Sequence, residues 1–230
     1  MIDLEGRVAM ISGANRGIGR AIANAFTLRG CRLSLGVRRP GEILAPDEGW
    51  VQAYDAEQPG SAGAWVDATL DRFGRIDVLV NNAGILLPGS LEDDDEAFER
   101  MFQVNAMGPL RLIRAALPHL RAAGDGRIAN VVSLSGKRVA NDNAGYAMSK
   151  YAALALSQAA RRAAWDDGVR VTAVCPSFVA TDMPKALTSF PPDQMTQPED
   201  LAELIATVVA LPNNAALAEL TVNCRFEPAF

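Results

Sequence analysis

A chain of 230 residues with 49% hydrophobic content is long enough for one large α/β domain that buries its core without staples. Its net charge of −5 excludes a general nucleic-acid binder, and no run of 18 apolar residues is present to span a membrane. Cys31, Cys175 and Cys224 lie far apart with no CxxC, and the one histidine, His119, has no Cys/His cluster, so the cysteines read as reduced thiols of a cytoplasmic protein, and no metal site is expected.

The first residues, MIDLEGRVAMISG, enter a strand-like run directly, with no basic segment or cleavage site, so no secretory signal is expected. Strands are expected over 7–12, 32–37, 50–54, 77–80, 127–133, 169–175 and, weakly, 218–222. Several are apolar nearly throughout rather than alternating, which fits strands covered on both faces of a parallel sheet. Helices are expected between them, over 17–29, 60–73, 95–122, 144–166 and 198–210. This alternation predicts an α/β fold, a doubly wound parallel sheet of about seven strands with helices on both faces, in one domain over 1–230. Residues 38–49, RRPGEILAPDEG, are too few and too rich in proline for a full crossover helix; one short turn or none is expected there. The acidic run EDDDE at 92–96 reads as the N-terminus of the helix that follows, where carboxylates are favoured. His119 falls near a helix end, with no chemistry assigned to it.

Directly after the first strand, the run ISGANRGIG places Gly13, Gly17 and Gly19 at the opening of a helix. Glycines let backbone turn tightly and approach a pyrophosphate, and a helix N-terminus supplies free N–H donors. A tight turn without a ligand would look similar, so this turn alone is weak evidence.

The run YAMSK puts Lys150 four residues after Tyr146. The chain has 3 tyrosines, and its 22 basic residues comprise 3 lysines and 19 arginines, so a lysine here stands out. Residues four apart share one helix face. Tyrosine is a poor acid near neutral pH; a nearby ammonium favours the phenolate and would bring the group toward a working range. Lysine suits that task because its charge is a compact point with rotatable donors.

Taken together, SGANRGIG (12–19), NNAG (81–84), Ser133 thirteen residues before Tyr146, and Tyr146-x-x-x-Lys150 resemble the short-chain dehydrogenase/reductase family, in its single-domain branch. Asn105 in QVNAMGPL and the segment CPSFVATDM (175–183) match further family positions, and the resemblance runs from about residue 4 to about 183. It implies a Rossmann-like fold and an oxidoreductase that passes a hydride between a nicotinamide cofactor and a carbonyl or secondary alcohol. By that resemblance Tyr146 is the general acid/base, Lys150 tunes it and holds the nicotinamide ribose, Ser133 orients the substrate, and Asn105 holds a water beside the lysine. Ser135 is the rival to Ser133. The same resemblance gives the cofactor Gly13, Asn15, Arg16, Gly17, Ile18 and Gly19 in the turn. Further along, it adds Asp55 near the adenine, Asn82, Ala83 and Gly84 past the adenine-side ribose, and Pro176, Val179 and Thr181 near the nicotinamide. Asn81 is expected to tie neighbouring strands.

The second strand ends LSLGVRRP, so Val37 stands where an NAD site usually offers a carboxylate, and Arg38 and Arg39 follow. With Arg16 close by, arginines here favour the 2′-phosphate of NADP(H), with NAD(H) as the alternative. Ser177 replaces the family's glycine after Pro176, and the tail LTVNCRFEPAF lacks its usual Asp-Gly-Gly close. Residues 184–200 are expected to cover the substrate, with Leu187, Phe190 and Met195 giving an apolar lining. The partner is a small-molecule carbonyl or alcohol, and a homo-dimer or homo-tetramer is expected from the family and from small residues in AGYAMSKYAALALSQAA. A non-catalytic NAD(P)-binding sensor or scaffold is the alternative reading.

Overall fold

The computed structural model describes residues 1–42, 49–183 and 188–228. Its centre is a seven-stranded sheet made of β1 (Val8–Ser12), β2 (Arg32–Val37), β3 (Gly49–Ala53), β4 (Val78–Asn81), β5 (Arg127–Val131), β6 (Arg170–Pro176) and β7 (Glu219–Val222). All pairings are parallel, in the order β3-β2-β1-β4-β5-β6-β7. The order reverses between β1 and β4, and the crevice beyond the carboxyl ends of those strands is where such sheets bind ligands. The segment expected only weakly as a strand is β7, in register with β6 from Ala173↔Glu219 to Pro176↔Val222.

Helices α1 (Gly17–Thr27), α2 (Ser61–Phe73), α3 (Asp95–Phe102), α4 (Gly108–Ala122), α5 (Ala144–Ala164) and α6 (Pro198–Val209) cover both faces. Ala9, Ile11, Val78 and Val80 share a core with Ile22 and Phe26 of α1 and with Leu201, Ile205 and Val209 of α6. The intervening Met10 and Leu79 point the other way, to Trp65 of α2, Leu112 and Leu120 of α4 and Ala164 of α5. The central strands β1 and β4 therefore feed two cores in alternation, which is why their sequences are apolar nearly throughout. Among the described residues no helix is long and apolar enough to cross a membrane.

The helix expected over 95–122 is interrupted. A π-helical turn, Gln103–Met107, separates α3 from α4. Pro109 has no N–H to give the carbonyl four residues back, which is Asn105's, so the regular ladder cannot continue through this point. Asp95 and Glu96 fill the first turn of α3, as the acidic run predicted. Between β2 and β3 one short 3-10 turn, Pro40–Glu42, is present, and residues 43–48 of that link lie outside the described residues.

Candidate active site

The glycine turn is stitched to the loop that follows β4. Ser12, the last residue of β1, accepts from the backbone N–H of both Asn82 and Ala83 at 3.0 Å. Asn82 in turn donates its amide to the carbonyls of Ser12 (2.9 Å) and Gly13 (3.2 Å). This crowding explains two glycines. Gly13 has φ +69°, and a Cβ there would stand 3.0 Å from Ala83 Cα. A Cβ on Gly19 would come within 2.3 Å of the Gly13 carbonyl, so helix α1 can approach the turn only without one. Arg16 precedes α1 with no side chain capping the helix and no acid in its first turn. The N–H groups there are left for an anion such as a pyrophosphate, so these residues fit a dinucleotide. Asn15 and Arg16 are exposed, while Ile18 is half-buried.

Residues after β6 meet this turn from the other side. A Cβ on Gly17 would stand 3.1 Å from Thr181 Cγ2, and Arg16 Nη1 lies 3.5 Å from Asp182 Oδ2. Val179 is buried and bridges to Thr196, and its carbonyl accepts the Thr181 N–H at 2.7 Å. Pro176 closes β6 beside Val222. Ser177 extends that ladder by donating its N–H to the Val222 carbonyl at 2.8 Å, and its hydroxyl accepts from the Cys224 N–H at 2.9 Å. The serine is thus built into the pairing of β6 with the tail.

Tyr146 lies in the first turn of α5. Asn143 caps that turn, accepting the Tyr146 N–H at 2.9 Å while donating to the Leu87 carbonyl at 2.7 Å. Ser133 stands close enough to Tyr146 to act on its acidity, and Ser133 Oγ accepts the Ser135 N–H at 3.1 Å. Ser133 rather than Ser135 therefore faces the tyrosine. It lies just past β5, which ends at Val131, two residues earlier than expected. Lys150, one turn along α5, is buried; its Nζ donates to the Val131 carbonyl at 3.0 Å and stands 5.7 Å from the centre of the Tyr146 ring.

The electrostatics correct one expectation. Burial pushes the Tyr146 phenol up to about 12, with Ser133 pulling the other way. Burial also brings Lys150 down to about 8, opposed by Cys175. Desolvation prevails at both groups, disfavouring the phenolate of Tyr146 and the ammonium of Lys150 alike.

Asn105 sits in the π turn, buried at 2% exposure. Its amide nitrogen donates to the Ile85 carbonyl and to Ser149 Oγ, each at 2.9 Å, and its oxygen accepts the Ile85 N–H at 2.9 Å. Ser149 passes the link on, donating to the Tyr146 carbonyl at 2.8 Å. The asparagine thus ties the loop after β4 to the tyrosine's own helix turn. The place where a Gly84 Cβ would stand is 3.2 Å from Asn105 Oδ1 and 3.6 Å from Lys150 Nζ, so Gly84 keeps open a gap between the two. Asn81 donates to Asn130 of β5 at 2.8 Å, tying the strands as expected.

Arg38 and Arg39 are exposed at the end of β2, and Val37 is buried. Asp55, past β3, accepts the Glu57 N–H at 3.0 Å. Phe190 stacks on Phe178 with ring centres 6.0 Å apart, and Met195 is buried; Leu187 lies outside the described residues. Cys31 and Cys175 are buried and Cys224 half-buried, all three unpaired. Among the described residues no group of three or more potential metal ligands occurs. Sequence reasoning passed over Ser12 and Ser149. Each carried a signal: one ends an apolar strand with a buried hydroxyl, and the other is a helical serine placed to bond the carbonyl three residues back.

Comparison with known proteins gives a consistent family. The profile described as short chain dehydrogenase matches residues 7–191. An agropine synthesis reductase of Rhizobium rhizogenes is 40% identical over 227 residues, covering 96% of this chain and 53% of that protein, so the chain spans about half the length of that relative. A 3-oxoacyl-(acyl-carrier-protein) reductase of Vibrio cholerae serotype O1 is 32% identical, covering 89% of this chain and 90% of the other. The solved structure of an alcohol dehydrogenase from the archaeon Thermococcus sibiricus, complexed with 5-hydroxy-NADP, superposes with a TM-score of 0.87 at 30% identity, over 95% of this chain and 96% of that one. With the parallel sheet, the glycine turn and the profile match in agreement, this chain belongs to the short-chain dehydrogenase family.

Proposed function

We propose that this protein reduces a carbonyl to a secondary alcohol with NADPH, or runs the reverse reaction, with Tyr146 exchanging the proton on the substrate oxygen. The observation that carries this reading is the placement of Ser133 beside Tyr146 with Lys150 one helical turn away, at the carboxyl ends of the strands. When bound, the nicotinamide ring supplies or accepts the hydride. The turn from Gly13 to Gly19 would hold the pyrophosphate, with Asn15, Arg16 and Ile18 beside it. Asp55, Asn82, Ala83 and Gly84 would line the adenosine side, and Pro176, Val179, Thr181, Tyr146 and Lys150 the nicotinamide side.

Tyr146, with its phenol held near 12, carries the proton that carbonyl reduction consumes. Ser133 orients the carbonyl oxygen against it. Lys150, near 8, exchanges protons at ordinary pH and can restore the one Tyr146 gives up. The gap beside Gly84 gives room for a water between Asn105 Oδ1 and Lys150 Nζ, a route for that proton from solvent. Residues 184–200 would cover the substrate.

Preference for NADP(H) rests on three supports. Arg38 and Arg39 are exposed where the ribose 2′ position would come, no carboxylate stands at Val37, and the Thermococcus enzyme was solved with an NADP derivative. Self-association as a dimer or tetramer fits the exposed Phe102, Met148 and Tyr151 around α3 and α5. The unpaired cysteines suit a cytoplasmic setting. The test is oxidation of NADPH, and separately NADH, across a panel of aldehydes, ketones and quinones. Turnover with NADPH is expected; binding without any turnover would instead make the protein a nucleotide sensor.

A further inference from the structure

The C-terminal tail is fastened to the loops that leave β5 and β6. Cys224 hydrogen-bonds Ser177 at the end of β6, through its N–H to Ser177 Oγ at 2.9 Å. Glu227 pairs with Arg138, five residues past Ser133. Between these anchors lies Arg225. Its guanidinium carbon is 5.5 Å from the centre of the Phe178 ring and 5.6 Å from that of Phe190. The two rings stack on each other, so one cation is held against an aromatic pair.

Three features give this arginine a purpose beyond packing. First, it is exposed and makes no hydrogen bond or ion pair with the described residues, so its N–H donors are available while stacking restrains its plane. Second, its neighbours are already matched: Lys137 pairs with Glu219 at 2.7 Å and Arg138 with Glu227, leaving Arg225 as the surplus cation in this cluster. Glu227 feels the charge of Arg225 but gives its hydrogen bond to Arg138. Third, both anchors belong to the loops leaving β5 and β6, the loops that carry Ser133 and Pro176.

We propose that Arg225 binds a carboxylate on the substrate, so that the protein prefers carbonyl compounds bearing a single negative charge. This rests on the reductase reading above. A planar guanidinium with free donors matches a carboxylate bidentately, and one surplus charge suits a monoanion better than a phosphate dianion. Phe178 and Phe190 would flank the carbon skeleton that joins the carboxylate to the carbonyl.

The test compares 4-carboxybenzaldehyde with its uncharged methyl ester, methyl 4-formylbenzoate. Wild type should favour the carboxylate form by about tenfold or more in kcat/KM, and Arg225→Met should bring the ratio near one. Arg225→Lys keeps the charge but not the fork, so it should retain only part of the preference. Calorimetric titration of both aldehydes into the NADP⁺-loaded protein reads the subsite apart from turnover. A carboxylate advantage in affinity that Arg225→Met removes, with no turnover of either aldehyde, would support the subsite while contradicting the reductase reading. Equal preference for the two aldehydes in wild type, or a preference unchanged in Arg225→Met, overturns the proposal.

Discussion

Lys150 reaches from helix α5 to the end of β5 and donates its Nζ to the Val131 carbonyl at 3.0 Å. It makes no ion pair among the described residues, so its buried charge meets a carbonyl dipole and the Tyr146 ring but no carboxylate. A lysine in that position costs stability when charged, and the cost is tolerable only if the site uses it.

That cost should be visible as pH dependence. The folded lysine titrates near 8, against an ordinary value of 10.5. Below 8 both folded and unfolded chains are protonated and the full cost is present. Between 8 and 10.5 the unfolded chain holds more protons, so this residue's contribution to stability rises with pH. Lys150→Met, at the loss of one hydrogen bond, should therefore exceed wild type by about 1–2 kcal/mol in urea unfolding at pH 7, without cofactor. The gain should fade by pH 10. A difference that does not change with pH contradicts the buried charge.

Asn105 makes three hydrogen bonds that join Ile85 and Ser149, so truncating it strands the partners in a buried place. Asn105→Ala should cost about 2–4 kcal/mol by urea unfolding, and Ser149→Ala, which breaks fewer bonds, about 1–2 kcal/mol. Equal effects would mean that the asparagine does not organise this turn.

At the far end of β5, Arg127 is buried and donates to the carbonyls of Val209, Asp125, Gly126 and Leu211. Burial brings its pKa down to about 10. Arg127→Met would leave those carbonyls without this partner and should cost about 3 kcal/mol in thermal or urea unfolding, with Arg127→Lys intermediate. A neutral Arg127→Met would show that the arginine is dispensable to the junction of β5 with α6.

The ends of β2 should decide the cofactor. Replacing Arg38 and Arg39 together by serine should weaken NADPH binding about tenfold or more and leave NADH binding nearly unchanged, since only the former carries the 2′-phosphate. Fluorescence titration with each nucleotide reads both. Tighter NADH than NADPH binding by the unaltered protein would overturn the preference.

What could be read from the sequence was what lies close along the chain or repeats in a fixed spacing. The glycine turn, the seven strands and the pairing of Tyr146 with Lys150 are of this kind. The contacts that were missed join distant residues: Ser12 with Asn82, Asn105 with Ile85, Arg138 with Glu227. The π turn was hidden because the apolar pattern of α3 and α4 runs on across it, although Pro109 carried a signal. β7 read weakly because it is a half-buried edge strand with no strong apolar run. Spacing placed the lysine beside the tyrosine, but the sign of the tyrosine's pKa shift depends on burial, which spacing does not report.

The most direct test of the catalytic reading is Tyr146→Phe. It removes the phenolic hydroxyl and keeps the ring. NADPH oxidation with the best aldehyde or ketone of the panel should fall at least about 100-fold, the range expected for loss of a general acid. NADPH affinity, measured on the same preparation, should change little. Turnover near the wild-type rate in Tyr146→Phe would contradict Tyr146 as the proton donor.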